Sequence, residues 1–234
     1  MEQFPSRVAL HELSRAYGRS FALHRINLEL EAGCLTAVVG DNGAGKTTLL
    51  NLLATVDRPT SGEIRYDQMS RDEFARTTRH RIGWISHHPL LYEELTAREN
   101  LAFFARLYGI GDAPQRCQAW LERVGLVDDA DRSVEAFSRG MKQRLTIARA
   151  LIHNPQLLLL DEPATGLDRQ GTQFIADLLC QLVARGRLVV VITHDFGLVR
   201  NIADRLLILR RGKVAYDELL DDGQDVLKAY SKHA

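Results

Sequence analysis

Apolar positions along the chain fall into two kinds of run. Cys34 to Val39, Leu157 to Leu160 and Leu188 to Ile192 are short and continuous. Runs of that length predict strands covered on both faces, the pattern of a parallel sheet. Elsewhere the spacing is helical. Leu49, Leu52, Leu53 and Val56 share one face and predict a helix over Lys46 to Val56. Thr96 and Glu99 form a capping box, with Leu101, Phe104, Ala105 and Tyr108 on one face beyond it. Pro114 opens another helix with Cys117, Trp120, Leu121 and Val124 inward. Met141, Leu145, Ala148 and Ile152 mark a third helix, and Phe174, Ile175, Leu178, Leu179 and Leu182 a fourth, which Gly186 ends. Leu206 to Leu209 and Val214 to Tyr216 flank Arg210-Arg211-Gly212-Lys213 as a hairpin. This order predicts an α/β layer architecture with parallel central strands, interrupted by an all-helical piece from roughly Pro89 to Pro155.

Composition narrows the class. The length of 234 residues suits one large domain or two small ones, and 45% apolar residues suffice for a full core. Thirty basic residues balance thirty acidic ones, so there is no electrostatic argument for a nucleic acid partner. Cys34, Cys117 and Cys180 lie far apart and predict buried or half-buried free thiols in a reducing compartment. No signal peptide pattern opens the chain. No run approaches the roughly 20 apolar residues of a membrane span, so a membrane role implies a partner chain.

Chemistry enters at Gly40-Asp41-Asn42-Gly43-Ala44-Gly45-Lys46-Thr47, which matches G-x-x-x-x-G-K-[ST] between a predicted strand and a predicted helix. Glycines let successive backbone N–H groups turn toward phosphate oxygens, and the helix start adds partial positive charge. Lys46 supplies an ammonium for the terminal phosphates and Thr47 a hydroxyl for Mg²⁺. The predicted nucleotide contacts run from Gly40 through Thr48.

Asp161 and Glu162 end a buried strand downstream. Asp161 suits holding a water on Mg²⁺, and Glu162 suits orienting and polarising an attacking water. His194 also follows a strand's carboxyl end, the edge where open α/β sheets bind ligands, and is predicted to contact a γ-phosphate.

Phe137-Ser138-Arg139-Gly140-Met141-Lys142-Gln143-Arg144, shortly before the acid pair, resembles the signature of the ATP-binding-cassette (ABC) ATPases. Thr165-Gly166-Leu167-Asp168 looks like that family's D-loop, Thr193-His194-Asp195 like its switch histidine, and Tyr17 is placed like its adenine-stacking aromatic. The resemblance covers nearly the whole chain. It implies a single ABC ATPase domain over residues 1–234. A phosphate-loop core of about 1–88 and 156–234, with a parallel sheet and an antiparallel β part, would carry a helical subdomain of about 89–155. It also implies ATP and Mg²⁺, a homodimer with two shared ATP molecules, and an integral membrane permease. In that arrangement Ser138 and Gly140 of one chain meet the nucleotide in the other, and the D-loop resemblance adds Asp168 to the nucleotide-binding residues. The chain would then act at the cytoplasmic face of the inner membrane.

Two positions depart from the family pattern. His87 stands where a Gln usually meets Mg²⁺ and water, and imidazole is a poorer ligand for that hard ion. Arg139 and Met141 alter the signature, while Ser138 and Gly140 keep its contact. The Ser-Arg-Gly-Met wording and His87 are similar to the ATP-binding subunits of the cytochrome c biogenesis haem exporters, the CcmA-like group. Leu90 to Leu101 reads like that group and like its drug- and polysaccharide-exporting relatives. The alternatives are a drug, polysaccharide or lipid exporter, a non-transport member such as an iron–sulphur assembly ATPase, and a nucleotide-binding regulator without turnover.

Overall fold

Strand β3 (Leu35–Val39) is buried at all five positions, as are β7 (Leu157–Asp161) and β8 (Leu188–Ile192). The computed structural model describes residues 4–221 and 226–233. In it these strands form the centre of a six-stranded sheet of order β10-β9-β3-β8-β7-β6, with β6 at Ile82–Ile85, β9 at Arg205–Arg210 and β10 at Lys213–Leu219. Five strands run parallel, and only the β9–β10 hairpin is antiparallel. Its turn places Arg211 and Gly212 at positive φ, as a tight hairpin requires.

Alternation along β7 and β8 divides the core. Leu157, Leu159, Leu188 and Val190 pack with Leu49, Leu52 and Leu53 of α1 (Lys46–Leu53) and with the N-terminal sheet. Leu158, Leu160, Val189 and Val191 face the other way, toward Leu145 and Ala148 of α5 (Arg139–Leu151) and Leu178 of α6 (Arg169–Ala184). Each buried Leu or Val contributes about 1.5–3 kcal/mol, so this two-sided sheet is the main hydrophobic investment of the fold. Helix α6 ends in a Schellman arrangement: Arg187 N–H bonds Leu182 O at 3.1 Å and Gly186 N–H bonds Val183 O at 2.7 Å, with Gly186 at φ 75°.

The antiparallel part is a four-stranded sheet of order β2-β1-β4-β5, with β1 at Arg7–Tyr17, β2 at Ser20–Glu31, β4 at Ser61–Tyr66 and β5 at Met69–Ser70. It covers the α1 side of the parallel sheet. Bulges in β1 break the period-two pattern, which is why the apolar spacing alone did not reveal these strands. Short α2 (Arg71–Thr77) was equally silent, since Phe74 is its only buried side chain.

The helical piece holds α3 (Ala97–Leu107), α4 (Ala113–Arg123) and α5. The capping box at Thr96 and Glu99 is present, and Cys117, Trp120, Leu121 and Val124 are buried as predicted. Two expectations need correction. Helix α1 stops at Leu53: Thr55 turns to φ 60°, the Val56 and Asp57 amides both bond Asn51 O, and Val56 is left 60% exposed. The three thiols are free, but Cys180 lies on the outer face of α6 and is exposed. Helix α7 (Phe196–Ile202) and α8 (Val226–His233) complete the described elements. Among the described residues no helix is long and apolar enough to cross a membrane.

Edge strand β6 is closed off by the helical piece. Arg149 donates to Trp84 O at 2.8 Å, and His153 Nε2 bonds Ile82 O at 3.0 Å with its ring stacked on Tyr108. Satisfying edge carbonyls with side chains removes a template for strand pairing. Burial holds the His153 imidazole below its ordinary 6.5, at about 4. The nearby Arg149 and His80 add to this, and the Ile82 carbonyl opposes it. The folded value lies below the unfolded one, so the His153 contribution is complete above about 6.5 and is lost as pH falls toward 4. The loss is ~3 kcal/mol. Urea unfolding across this interval should show that slope in the native chain and a flatter one in His153→Phe.

Candidate functional site

Helix α1 begins without a side-chain cap. Its N-cap is Gly45 at φ 104°, whereas Ser70, Thr96, Ser138, Asp168 and Asp195 cap α2, α3, α5, α6 and α7 through side-chain oxygens. Uncapped first-turn amides are an anion-binding surface. Glycine is required for packing as well. A Cβ at Gly45 would run into the carbonyl oxygen of Ala22, and one at Gly40 into that of Leu209. The loop is thereby pressed against β2 and β9.

Lys46 lies buried beneath this loop and donates to the carbonyls of Gly40 at 2.6 Å and Asp41 at 2.9 Å. Burial lowers its pKa, while Glu162, Asp161 and Asp41 hold it up. Thr47 donates to Asp161 Oδ2 at 3.0 Å, tying the start of α1 to the end of β7. This hydroxyl and carboxylate are hard oxygen donors at one point, a set that suits Mg²⁺.

Glu162 sits at φ 51°, a left-handed backbone that costs a non-glycine residue about 1–3 kcal/mol. Its amide is held by Ile192 O at 2.9 Å, and Thr193 Oγ1 donates to its Oε2 at 3.3 Å. The other oxygen, Oε1, is buried with no hydrogen-bond partner and lies 3.7 Å from His194 Nε2. Burial raises the carboxyl pKa above the ordinary glutamate value, against the pull of His194 and Thr193. The backbone strain and the unpartnered oxygen both mark a group kept ready for something outside the chain.

Tyr17, Asn42, Gly43, Gly45, Lys46, Thr47, Thr48, His87, Asp161, Glu162 and His194 line one open cleft of about 760 Å³. Gly40, Asp41 and buried Ala44 shape the loop behind it. Asp41 O accepts the Ala44 amide, and Asp41 Oδ1 accepts from Tyr230 at 3.0 Å. His87 stands beside His88, ring centroids 4.1 Å apart. No group of three His, Cys, Asp or Glu able to hold a metal occurs among the described residues.

Ser138, Gly140 and Asp168 do not join that cleft. They line a second one of about 600 Å³ with Arg139 and Gly166. Ser138 accepts the Met141 amide at 3.2 Å and so caps α5; Asp168 likewise caps α6 through Gly171 N–H at 2.7 Å. Arg139 is folded over Gly166 rather than fully solvated. Helix α5, which carries Gly140, also reaches the acid pair: Gln143 Nε2 donates to Pro163 O, next to Glu162, at 2.7 Å.

Thr165, Ala22 and Ile192 also line the first cleft. Thr165 and Thr193 stood inside recognisable motifs, so their role was open to reading. Ala22 and Ile192 act through backbone carbonyls, one against Gly45 and the other on the Glu162 amide, contacts met only after folding. Gln143 stood inside the signature-like segment, but its bond to Pro163 O is likewise set by folding.

A phosphate loop after a central parallel strand, a strand-borne acid pair and an inserted helical piece define the ABC ATPase fold. The chain belongs to the ABC transporter family, whose sequence model matches residues 23–165. It is 34% identical over 203 residues to the ABC transporter ATP-binding protein NatA of Bacillus subtilis (strain 168), covering 86% of this chain and 82% of NatA. It is 34% identical over 210 residues to the Nod factor export ATP-binding protein I of Paraburkholderia xenovorans (strain LB400), covering 88% and 68%. A solved ATP-binding cassette, dimeric in a post-hydrolysis state with ADP and Pi, superimposes with a TM-score of 0.83 at 31% identity, covering 92% of this chain and 99% of that one.

Lys46 is expected to make a charge-assisted contact with phosphate, which Lys46→Ala would remove. Losing such a bond costs about 1.5–3 kcal/mol, so calorimetric titration should show ATP affinity reduced roughly 10- to 100-fold. Binding at native affinity would remove Lys46 from the phosphate cradle.

Proposed function

We propose that this chain hydrolyses ATP as half of a head-to-tail homodimer and drives export through a separate membrane permease. The observation that carries this is the division of the predicted residues. Loop, acid pair and His194 share one cleft, while Ser138, Gly140 and Asp168 share another. A second copy turned about a two-fold axis brings each signature cleft over the other chain's phosphate loop. The dimeric relative with ADP and Pi supports that assembly. One domain then contains a core and a helical subdomain with different tasks.

In the closed site the α1 amides and Lys46 neutralise the phosphates, and Tyr17 stacks on adenine. Thr47 and Asp161 would hold Mg²⁺, which when bound would offset the charge of the phosphates. Glu162 Oε1 accepts a hydrogen bond from the attacking water. It takes the proton as the water oxygen bonds to the γ-phosphorus and the bridging oxygen leaves with ADP. Thr193 keeps the carboxylate aimed, and His194 meets the γ-phosphate from the other side. Ser138 caps α5, whose amino end faces the partner's γ-phosphate.

The helical subdomain offers a docking face for the permease: Tyr92 and Phe103, with ring centroids 5.0 Å apart, are 47% and 40% exposed, and Leu107 is 68% exposed. An apolar patch of that kind marks an interaction surface. Such a complex places the chain at the cytoplasmic face of the membrane. The Nod factor relative supports export as the direction. Haem as cargo is supported by the Ser138-to-Met141 wording and by His87; NatA and the Nod factor protein carry other descriptions. Capture of the native permease with this chain, followed by cargo assay in vesicles, separates haem from drug, polysaccharide or lipid.

Glu162→Gln should bind ATP normally, lose nearly all hydrolysis and elute as a nucleotide-dependent dimer in size exclusion with light scattering. Because the folded carboxyl pKa is raised, its charge opposes folding above that pKa, so the same variant should melt at a higher temperature at pH 7. Full turnover in this variant would overturn the proposed base.

His87→Gln replaces an imidazole by an amide oxygen that Mg²⁺ accepts more readily. ATPase activity should be equal to or above that of the native chain; a collapse to background would assign the imidazole a specific task.

A further inference from the structure

Tyr17 ends β1 at the rim of the nucleotide cleft and is half exposed. One face of its ring is covered by the Arg15 guanidinium, whose Cζ lies 4.5 Å from the ring centroid. The Tyr17 hydroxyl donates to Asp57 Oδ2 at 2.7 Å, and Arg15 Nε donates to the same oxygen at 2.8 Å. A single carboxylate therefore fixes both the tip of the ring and the cation behind it.

Asp57 is itself held firmly. Its second oxygen accepts the Arg58 amide at 2.7 Å, and its own amide bonds Asn51 O at 3.2 Å. Arg71, whose side chain is 12% exposed, donates to the carbonyls of Thr55 at 2.8 Å and Asp57 at 2.7 Å. From the strand side, Ala16 N–H donates to Thr60 Oγ1 at 3.0 Å and Thr60 N–H to Ser14 O at 2.8 Å. Asn51 belongs to α1, the helix that carries the phosphate loop, so these bonds set the ring's position relative to that loop. Burial works against ionisation of Asp57, but the hydrogen bonds from Tyr17, Arg58 and Arg15 outweigh it and keep the carboxyl below its ordinary value.

We propose that Arg15 and Asp57 are positioning residues that hold Tyr17 as a one-faced platform for a purine base, resting on the reading of Tyr17 as the base-stacking residue. Arg15 blocks the rear face, so a base stacks only on the face open to the cleft. The guanidinium draws ring electron density rearward, which eases stacking of an electron-rich purine on the front. Holding the ring before binding removes the ordering cost that a free side chain at a strand end would carry. The hydroxyl is committed to Asp57, so the platform recognises a π-face rather than a base edge. Adenine and guanine nucleotides should therefore depend on it equally.

Calorimetric titration with ADP, GDP and pyrophosphate separates base from phosphate binding. Tyr17→Ala should weaken ADP and GDP about tenfold and leave pyrophosphate unchanged. Arg15→Ala and Asp57→Asn should each weaken both nucleotides about three- to tenfold with pyrophosphate unchanged, the share of the stacking contribution that preorganisation supplies. Tyr17→Phe should match Asp57→Asn, and the double variant should be no worse than either single one. If Tyr17→Ala weakens ADP while the Arg15 and Asp57 variants bind it normally, the positioning inference fails and the stacking role stands. If Tyr17→Ala binds ADP normally, the stacking reading itself fails. If pyrophosphate weakens together with ADP in Asp57→Asn, the effect is distortion of the loop after α1, and the inference is overturned.

Discussion

An α-helix that begins on glycine leaves its first amides without a partner, and in this chain that start is placed at the carboxyl edge of a fully buried parallel sheet. Everything near the site answers to this. Lys46 is drawn beneath the loop by carbonyls instead of an acidic cap, and Thr47 reaches across to Asp161. A capping side chain at Gly45 would occupy an amide that now has no side-chain cap, and its Cβ would collide with Ala22. The sheet tolerates this local deficit because both faces of its central strands are packed, while the loop is held by Lys46, by the Ala44 amide on Asp41 O and by close contact with Ala22 and Leu209.

The second requirement is reactivity at the end of β7. Glu162 combines a strained backbone, a buried unpartnered oxygen and a raised pKa. Each disfavours the folded chain in isolation and favours a carboxylate that gains a partner when water and phosphate arrive. Thr193 and the Ile192 carbonyl hold it in that state from β8. Strain here is borne by neighbouring strands whose burial far exceeds it.

The helical piece and the sheet are joined by side chains that bond backbone carbonyls. Gln143 bonds the carbonyl beside Glu162, and Arg149 and His153 clasp edge strand β6, which leads into His87. The helical piece is thus tied through three side chains to the strands that lead into the acid pair and His87.

Fold class, phosphate loop, acid pair and helical insert were legible in the sequence because each depends on local rules: continuous apolar runs for doubly covered strands, glycines at fixed offsets, caps before apolar faces. The antiparallel sheet was legible only through family resemblance, since bulges in β1 scramble its alternation. Val56 and Cys180 were misplaced because periodicity continues past a helix end and burial depends on what lies opposite. Whereas the separation of Ser138 from Lys46 was already implied by the family resemblance, tertiary structure alone decided that Glu162 keeps one oxygen free and that Asp57 meets Tyr17 and Arg15. These are contacts between elements far apart along the chain, settled by how layers pack. The spacing of residues within one element carries no record of which side chain will face it across a cleft.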